Sequence, residues 1–215
     1  MKASTEAIRF LQTLEVPQGP KAGHKLKLAP FQRQFVKGAL APGINTGVLS
    51  IARGNGKSGL SAGLALGALL GEWDAQPARE ILIAARTRDQ ARIAWDFAAQ
   101  FAFGLPEEKQ ARLTFRRSPR LEIEYEDEKG SHFLRGIAAD GKSILGSAPT
   151  LVLMDERGHW PSDKGDELEA ALLSGLGKRG GRSLIISTSA PDDKHAFSVW
   201  LDEDIRRLRA PPSCA

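Results

Sequence analysis

Hydrophobic and polar positions follow two alternating patterns along the chain, short apolar runs and longer stretches with helical spacing. The apolar runs are TGVLSIA (46–52), REILIAA (79–85), TLVLMDE (150–156) and RSLIISTSA (182–190), as expected of strands covered on both faces. The helical stretches are SGLSAGLALGALLGEW (58–73), RDQARIAWDFAAQFAF (88–103) and DELEAALLSGLG (166–177). Strands that alternate with helices predict a mainly parallel sheet with right-handed crossovers and a ligand at the carboxyl ends of the strands.

The pattern changes between residues 113 and 137. LTFRR, RLEIEYED and SHFLRGI alternate or nearly alternate, and EDEKG (126–130) is typical of a hairpin turn. These segments predict antiparallel strands at the edge of the sheet. We predict one domain over residues 1–215, with a core over about 28–195 and lid or linker segments at 1–27 and 196–215.

Composition narrows the class of protein. The chain has 215 residues, of which 41% are hydrophobic and 26% charged, as in a soluble globular protein. No apolar run approaches the roughly 20 residues that cross a bilayer, so we expect no membrane association. The only cysteine, Cys214, excludes an internal disulfide framework and a cysteine-based metal cluster. The net charge of +4 is compatible with nucleic acid but does not by itself indicate it.

A glycine-rich turn lies between the first apolar run and the helical stretch that follows it. Its residues are Gly54, Asn55, Gly56, Lys57, Ser58 and Gly59. Such a turn suits phosphate because glycines let backbone N–H groups point inward, the helix N-terminus is partly positive, and the lysine adds a cation. We expect Lys57 to contact the β- and γ-phosphates and the Ser58 hydroxyl to ligate Mg²⁺. Ile51 stands where the usual first glycine would fall, and a plain turn before a helix is the alternative interpretation.

A second magnesium anchor is expected at the end of another buried strand, where LVLMDE supplies Asp155 and Glu156. Asp155 is predicted to hold the metal through water. Glu156 is predicted to orient and deprotonate the attacking water, because hydrolysis needs a carboxylate within hydrogen-bond reach of the nucleophile. Capping of the next helix is the alternative role for this acidic pair.

Five segments together resemble the ATPase domain of the large terminase subunit of tailed double-stranded DNA phages. In chain order they are LAPFQRQF, SIARGNGKSGLSA, ILIAARTRDQARIAWDFA, ADGKSILGSAPTLVLMDE and LIISTSA. The resemblance runs from about Leu28 to the C-terminal region and covers only the N-terminal half of the family's usual architecture. It implies an α/β P-loop NTPase fold of the ASCE/RecA-like type, with a mainly parallel central sheet, flanking helices and an antiparallel β insertion or edge.

The resemblance also implies a function. The chain is expected to hydrolyse ATP with Mg²⁺ and so to power translocation of double-stranded DNA into a viral procapsid in the host cytoplasm. The implied partners are the portal protein and the small terminase subunit, and the active form is a homo-oligomeric ring. A helicase-like DNA translocase and a nucleotide-binding assembly subunit without turnover are the alternatives.

The same resemblance implies roles for individual residues. Gln32 corresponds to an adenine-reading glutamine, and Arg53 to a basic P-loop residue that senses or stabilises the γ-phosphate. Thr188, with Ser187 and Ser189, corresponds to a motif that couples the γ-phosphate state to domain movement. The alternatives are a solvated amide for Gln32, a surface ion pair for Arg53, and an ordinary strand end or helix cap for the hydroxyl residues.

Two departures from the family pattern concern the arginine finger and the nuclease. Several relatives place a trans-acting arginine shortly before the acidic strand, where this chain has Leu145 and Gly146. Arg135 and Lys142 are the nearby basic candidates, although Arg135 could equally pair with the acidic hairpin. No segment after Ser189 supplies the carboxylates of a nuclease domain, so we expect ATP hydrolysis without DNA cleavage.

Basic and imidazole side chains complete the set of candidates. Arg112, Arg116, Arg117 and Arg120 could meet a DNA backbone or form a solvated face. The histidines His24, His132, His159 and His195 share no metal-ligand spacing, and we interpret them as structural or surface residues.

Overall fold

The computed structural model describes residues 2–138, 147–190 and 192–209, so Lys142, Leu145, Gly146 and Cys214 lie outside the described residues. The helices are α1 (Lys2–Thr13), α2 (Pro30–Ala39), α3 (Lys57–Leu69), α4 (Arg88–Phe103), α5 (Glu107–Gln110), α6 (Ser162–Gly177) and α7 (Ala196–Arg209). The strands are β1 (Thr46–Ser50), β2 (Glu80–Ala85), β3 (Leu113–Arg116), β4 (Leu121–Asp127), β5 (Gly130–Ala138), β6 (Leu151–Asp155) and β7 (Arg182–Ser187). A 3₁₀ turn, Arg157–His159, follows β6. Among the residues that the structure describes, none of the helices has the length and hydrophobicity of a membrane span.

The seven strands form one sheet in the order β1-β7-β6-β2-β5-β4-β3. Neighbours from β1 to β5 are parallel, and β4 and β3 continue the sheet in antiparallel pairing. The predicted fold class, a mainly parallel α/β sheet with an antiparallel edge, is therefore confirmed. The order also sets β7 between β1 and β6, so the ends of these three strands meet at one edge.

The core lies on both faces of this sheet because side chains of a strand alternate between faces. In β2, Ile81 and Ile83 belong to the cluster that packs under α1, α3 and α4. Leu82 and Ala84 of the same strand belong to the cluster on the opposite face, which contains residues of α6 and α7. Burial on both faces explains the continuous apolar runs of the sequence.

Helix α3 is buried along nearly its whole length between the sheet and α1. A β-carbon at Gly63 would lie 2.5 Å from Leu11 Cδ2, so a larger residue here would force the Leu11 side chain to shift. Leu11 is fully buried in the main core. Helix α1 is thus packed into the core, although the predicted lid or linker segment 1–27 includes it.

Element ends differ by a few residues from the predicted ones, for local reasons. Helix α3 stops at Leu69 rather than near Trp73, because Gly71 takes a positive φ of 75° and ends the helix. Helix α6 begins at Ser162, one turn before the predicted start, directly after Pro161. Proline before or at the first turn fits a helix start because its missing N–H would have no partner there.

A buried ion pair fastens the β4–β5 hairpin to the end of α3. The Arg79 side chain is 2% exposed, and its Nη2 donates to Asp127 Oδ2 at 2.8 Å while its Nε donates to Leu69 O at 2.9 Å. His132 Nδ1 accepts from the Arg79 backbone N–H at 3.0 Å. The other imidazole nitrogen, Nε2, therefore carries the proton that it shares with Asp127 Oδ1 at 2.8 Å.

This network predicts a pH-dependent contribution to stability. Burial alone would raise the pKa of Asp127, but hydrogen bonds from Arg79, His132 and the Lys129 backbone outweigh it and hold that pKa well below its usual 3.8. A carboxyl group whose pKa is lower in the folded state stabilises the fold at any pH above its pKa in the unfolded state. This contribution is lost as the pH falls below about 3.8.

Asp127→Ala is expected to lower the free energy of unfolding by about 3 kcal/mol at pH 7, because it leaves the Arg79 guanidinium buried and without its carboxylate partner.

Urea unfolding of both proteins at pH 7 and pH 3 measures the effect. The difference between wild type and Asp127→Ala should shrink at pH 3, and an equal difference at both pH values would contradict the prediction. Glu128→Ala is the matched control because Glu128 is the exposed neighbour in the same turn.

Candidate functional site

The candidate site lies at the edge where the parallel strands end. In the register of the sheet, Ser50 of β1 pairs with Ser187 of β7, and Asp155 of β6 pairs with Ile186. The glycine-rich turn after β1, Thr188 after β7 and Glu156 after β6 therefore converge. The sheet brings together the residues that the sequence placed at three distant positions.

The glycine-rich turn adopts a backbone that favours glycine. Gly54 and Gly56 have φ values of 83° and 72°, in the left-handed region, and α3 begins directly after them at Lys57. The Asn55 side chain closes the turn by donating from Nδ2 to Ala52 O at 3.1 Å. A turn of this form at a helix N-terminus presents backbone N–H groups to an anion.

Lys57 is held inside the turn with its side chain only 7% exposed. Its Nζ donates to Ile51 O at 3.3 Å and to Ala52 O at 3.2 Å. The same Nζ lies 3.3 Å from Glu156 Oε1. The ammonium group is thus surrounded by three oxygen acceptors at the place where a phosphate would bind.

Glu156 occupies a strained backbone position at the end of β6. Its φ of 51° lies in the left-handed region, and this conformation costs a non-glycine residue on the order of 1–3 kcal/mol. Residues with such strained backbones are concentrated at functional sites. Its Oε2 accepts from both the backbone N–H and the hydroxyl of Thr188, each at 2.7 Å. Burial alone would raise the pKa of Glu156, but the Thr188 hydrogen bonds and Lys57 outweigh it and lower that pKa. Glu156 is consequently ionised and pointed into the site.

Asp155 stands next to Glu156 in a different electrostatic state. Its Oδ1 is buried without a hydrogen-bond partner among the described residues. Burial and the neighbouring Glu156 charge raise the pKa of Asp155 to about 6, although Lys57 opposes them. An unpartnered buried carboxylate oxygen fits a cation ligand, because a metal ion would supply the missing partner.

Two clefts flank the glycine-rich turn. The first, of about 510 Å³, is lined by the turn, by Gln32 and Glu156, and by apolar side chains including Val16, Leu26 and Phe97. The second, of about 340 Å³, is lined by Arg53, Ser58, Arg86, Gln90, Ile93, Asp155, Glu156 and His159. Arg53 and Ser58 border both clefts, as does Glu156. The first cleft suits an apolar ring, and the second suits a charged group with a metal.

Gln32 links α2 to the glycine-rich turn. Its Nε2 donates to Asn55 O at 3.1 Å, and its Oε1 accepts from the Ala29 backbone N–H at 2.9 Å. A primary amide has two N–H donors and two acceptor lone pairs, so one donor and one lone pair remain for a ligand.

The predicted arginine-finger candidate Arg135 is engaged within its own chain. Its Nη1 donates to Glu80 at 2.8 Å and its Nε donates to Glu122 at 2.7 Å. It also stacks on the Phe133 ring. Glu122 lies in β4 of the acidic hairpin, as the alternative interpretation of Arg135 has it, whereas Glu80 lies in β2.

The basic residues near the antiparallel strands divide into two kinds. Arg116 pairs with Glu122 and Glu124, and Arg117 pairs with Asp96. Arg112 and Arg120 are exposed and have no ion pair within the described part of the chain. Of these four arginines, Arg112 and Arg120 are therefore the two whose positive charge is not compensated by a carboxylate of the described residues.

Three polar side chains that line the second cleft were not predicted as site residues from the sequence. Arg86 and Gln90 lie just beyond the end of β2, and His159 lies three residues after Glu156. The position after a parallel strand was the available signal for all three. The interpretation of His159 as structural or surface is incomplete, because the 3₁₀ turn directs its ring toward Thr188 at 2.7 Å.

Within the described residues no cluster of three or more His, Cys, Asp or Glu side chains could hold a metal. A cation at this site would therefore depend on Ser58, Asp155, water and the bound ligand itself. That ligand set suits Mg²⁺, which keeps several waters and binds through few carboxylates plus phosphate oxygens.

Comparisons with known proteins point to one family. Residues 37–205 match the family model for the terminase large subunit, ATPase domain. The chain is 28% identical over 198 residues to the terminase large subunit of Enterobacteria phage HK97, covering 89% of this chain and 37% of that protein.

Solved structures give the same result for the fold. The crystal structure of the HK97 bacteriophage large terminase superposes with a TM-score of 0.83 at 26% identity, covering 100% of this chain and 46% of that one. The ATPase domain of the Thermus phage P74-26 large terminase shares the fold, with a TM-score of 0.60 at 22% identity over 76% of this chain and 65% of that one. The chain thus spans less than half the length of its HK97 relatives. The predicted resemblance and the predicted ATPase class are confirmed, and the chain belongs to the family of terminase large subunit ATPase domains.

Proposed function

We propose that this chain hydrolyses ATP with Mg²⁺ and that hydrolysis drives double-stranded DNA into a viral procapsid. The convergence of Lys57, Asp155 and Glu156 at one sheet edge carries this proposal, with 3.3 Å between Lys57 Nζ and Glu156 Oε1. A cation for phosphate, a carboxylate for metal and a carboxylate for water are the minimum set for phosphoryl transfer to water.

The nucleoside part of ATP is proposed to occupy the first cleft. Its apolar side chains would pack against the base, and the free N–H and lone pair of the Gln32 amide match the adjacent N7 acceptor and amino donor of adenine. Guanine carries a carbonyl in place of that amino group. Gln32 would therefore favour ATP over GTP.

The phosphates are proposed to lie along Gly54, Asn55, Gly56, Lys57 and Ser58, with Gly59 at the first turn of α3. Lys57 would exchange its present acceptors for the β- and γ-phosphate oxygens. Arg53 is exposed on the rim of both clefts, where its guanidinium would offset the charge of the transferring phosphate.

Mg²⁺ is proposed to bind between Ser58 and Asp155, which line the same cleft. The bound ion would neutralise phosphate charge, and the buried Asp155 Oδ1 would gain the partner it lacks.

Glu156 is proposed as the general base. When Lys57 turns to the phosphates, Glu156 Oε1 becomes free while Oε2 stays held by Thr188. The freed oxygen takes a proton from water, the water oxygen forms a bond to the γ-phosphorus, and the bond to the bridging oxygen breaks so that ADP leaves. Thr188 would report the γ-phosphate state because it already contacts the base.

The DNA-related part of the proposal draws on the family and on exposed charge. Arg112 and Arg120 are candidates for phosphate contacts, which need only charge and position. The proposed partners are the portal protein and the small terminase subunit, and the active form is a homo-oligomeric ring in the host cytoplasm. One domain over residues 1–215 would provide the motor.

ATP hydrolysis measured with and without duplex DNA tests this function. Turnover should require Mg²⁺, prefer ATP to GTP through Gln32, and rise faster than linearly with protein concentration as subunits complete one another's sites.

DNA binding should weaken between 50 and 200 mM salt, by roughly tenfold if about two phosphates are contacted. Hydrolysis that is absent at every protein concentration, or DNA binding that is absent at low salt, would contradict the respective part of the proposal. The Gln32→Ala variant should lose the preference for ATP.

A further inference from the structure

A chain of side-chain hydrogen bonds connects His159 to the base of the proposed reaction. His159 Nε2 lies 2.7 Å from Thr188 Oγ1, and Thr188 Oγ1 lies 2.7 Å from Glu156 Oε2. We propose that His159 is a positioning residue for ATP hydrolysis, acting on Glu156 through the Thr188 hydroxyl. This inference rests on the proposed function and assigns a role to a side chain outside the glycine-rich turn and the acidic pair.

The direction of both hydrogen bonds follows from counting protons. An ionised carboxylate can only accept, so the single hydroxyl proton of Thr188 goes to Glu156. Thr188 Oγ1 is then an acceptor toward His159, and the imidazole must donate from a protonated Nε2. His159 thereby fixes the rotation of the hydroxyl so that its proton faces Glu156. A hydroxyl without this donor would be free to turn its proton elsewhere.

The backbone around His159 is built to hold this alignment. The Gly158 N–H donates to Ser187 Oγ at 3.0 Å, which ties the 3₁₀ turn to the end of β7. A β-carbon at Gly158 would lie 3.0 Å from Thr188 O, so a larger residue would require the two closely packed segments to move slightly apart. Arg157, almost fully buried, anchors the same turn to α6 through Glu169 at 2.7 Å and through Asp166.

The alignment matters because Oε2 must stay fixed once Lys57 has turned to the phosphates and released Oε1 of Glu156. Thr188 holds Oε2 through its N–H and its hydroxyl. Loss of the oriented hydroxyl leaves one hydrogen bond instead of two. The carboxylate could then rotate, and Oε1 would face the water in a smaller fraction of molecules. The expected consequence is a lower kcat without a change in ATP binding.

Single variants of this chain separate positioning from general damage. His159→Ala should lower kcat by about 10- to 100-fold, as removal of an outer partner of an active-site group does. ATP affinity should stay unchanged. His159→Gln should recover most of the activity, because its amide N–H can donate from nearly the position of Nε2. His195→Gln is the matched control, because His195 contacts the Trp160 carbonyl beside the same turn but reaches no group of the site.

A double substitution tests the route through Thr188. Thr188→Val removes the hydroxyl and keeps the backbone N–H, so His159→Ala should cause no further loss in the Thr188→Val background. Multiplied losses in the double variant would overturn the proposed route. Wild-type kcat in His159→Ala, alongside an inactive Glu156→Gln, would overturn the positioning role and leave the proposed function intact. Absence of turnover in wild type would overturn both.

A second measurement does not depend on turnover. In ¹⁵N NMR of the nucleotide-free chain, His159 should be protonated at Nε2, and this proton should exchange slowly with water. Thr188→Val should remove the slow exchange. A proton on Nδ1 alone, or fast exchange in wild type, would overturn the hydrogen-bond direction on which the inference depends.

Discussion

Glu156→Gln is expected to lower kcat for ATP hydrolysis by about 10³-fold, within the range for loss of a general base. The amide has the same shape and can still accept from Thr188 with its oxygen, but it cannot take a proton from water. ATP affinity should remain or increase slightly, because Lys57 no longer has a carboxylate at 3.3 Å competing with phosphate. Phosphate release measures kcat, and calorimetric titration with ATP measures affinity.

The control for Glu156→Gln is Glu167→Gln on the exposed surface of α6, which removes the same charge at a residue that lines neither cleft. It should leave both kcat and affinity unchanged. Turnover of Glu156→Gln within about threefold of wild type would remove Glu156 from the role of base.

Lys57→Ala is expected to weaken ATP binding by about 100-fold. Two charge-assisted hydrogen bonds to phosphate oxygens are lost, and at the low end of a net contribution of about 1.5–3 kcal/mol each they account for this loss. Lys57 is the buried cation of the turn, so no exposed side chain can replace it at the same point. Competition against a fluorescent ATP analogue measures the change.

Lys57→Ala also removes the partner of three oxygens, so folding must be measured in parallel. Lys57→Met keeps most of the apolar stem and should show the same loss of affinity with less change in thermal stability. Lys37→Ala, an exposed lysine of α2, is the control for net charge. Equal ATP affinity in wild type and Lys57→Met would rule out the proposed phosphate contact.

The local sequence was sufficient to predict the position and conformation of the glycine-rich turn. A strand, two glycines, Lys57 and the start of α3 are consecutive in the chain, and their conformation follows from φ freedom at Gly54 and Gly56. The apolar runs likewise predicted β2 and β6 within one residue at each end and β7 within three, because burial on both faces leaves a continuous apolar signal.

Strand order was not predictable from the same patterns. The position of β7 between β1 and β6 is what sets Thr188 against Glu156, and no local preference encodes which parallel strands become neighbours. Arg135 illustrates the same limit. Its partners Glu80 and Glu122 come from two other strands, so an exposed finger and a paired arginine looked alike in sequence.

By itself, then, the sequence determined the residues that can bind phosphate, ligate a metal and accept a proton, because these roles depend on side-chain chemistry next to strand ends. Only the tertiary structure decided how those residues act on one another. It placed Lys57 against Glu156, gave Glu156 its left-handed backbone and aligned Thr188 and His159 behind it. The contact between Lys57 and Glu156 joins residues that lie far apart in the chain. Such contacts exist only once the sheet has fixed the spacing and direction of its strands.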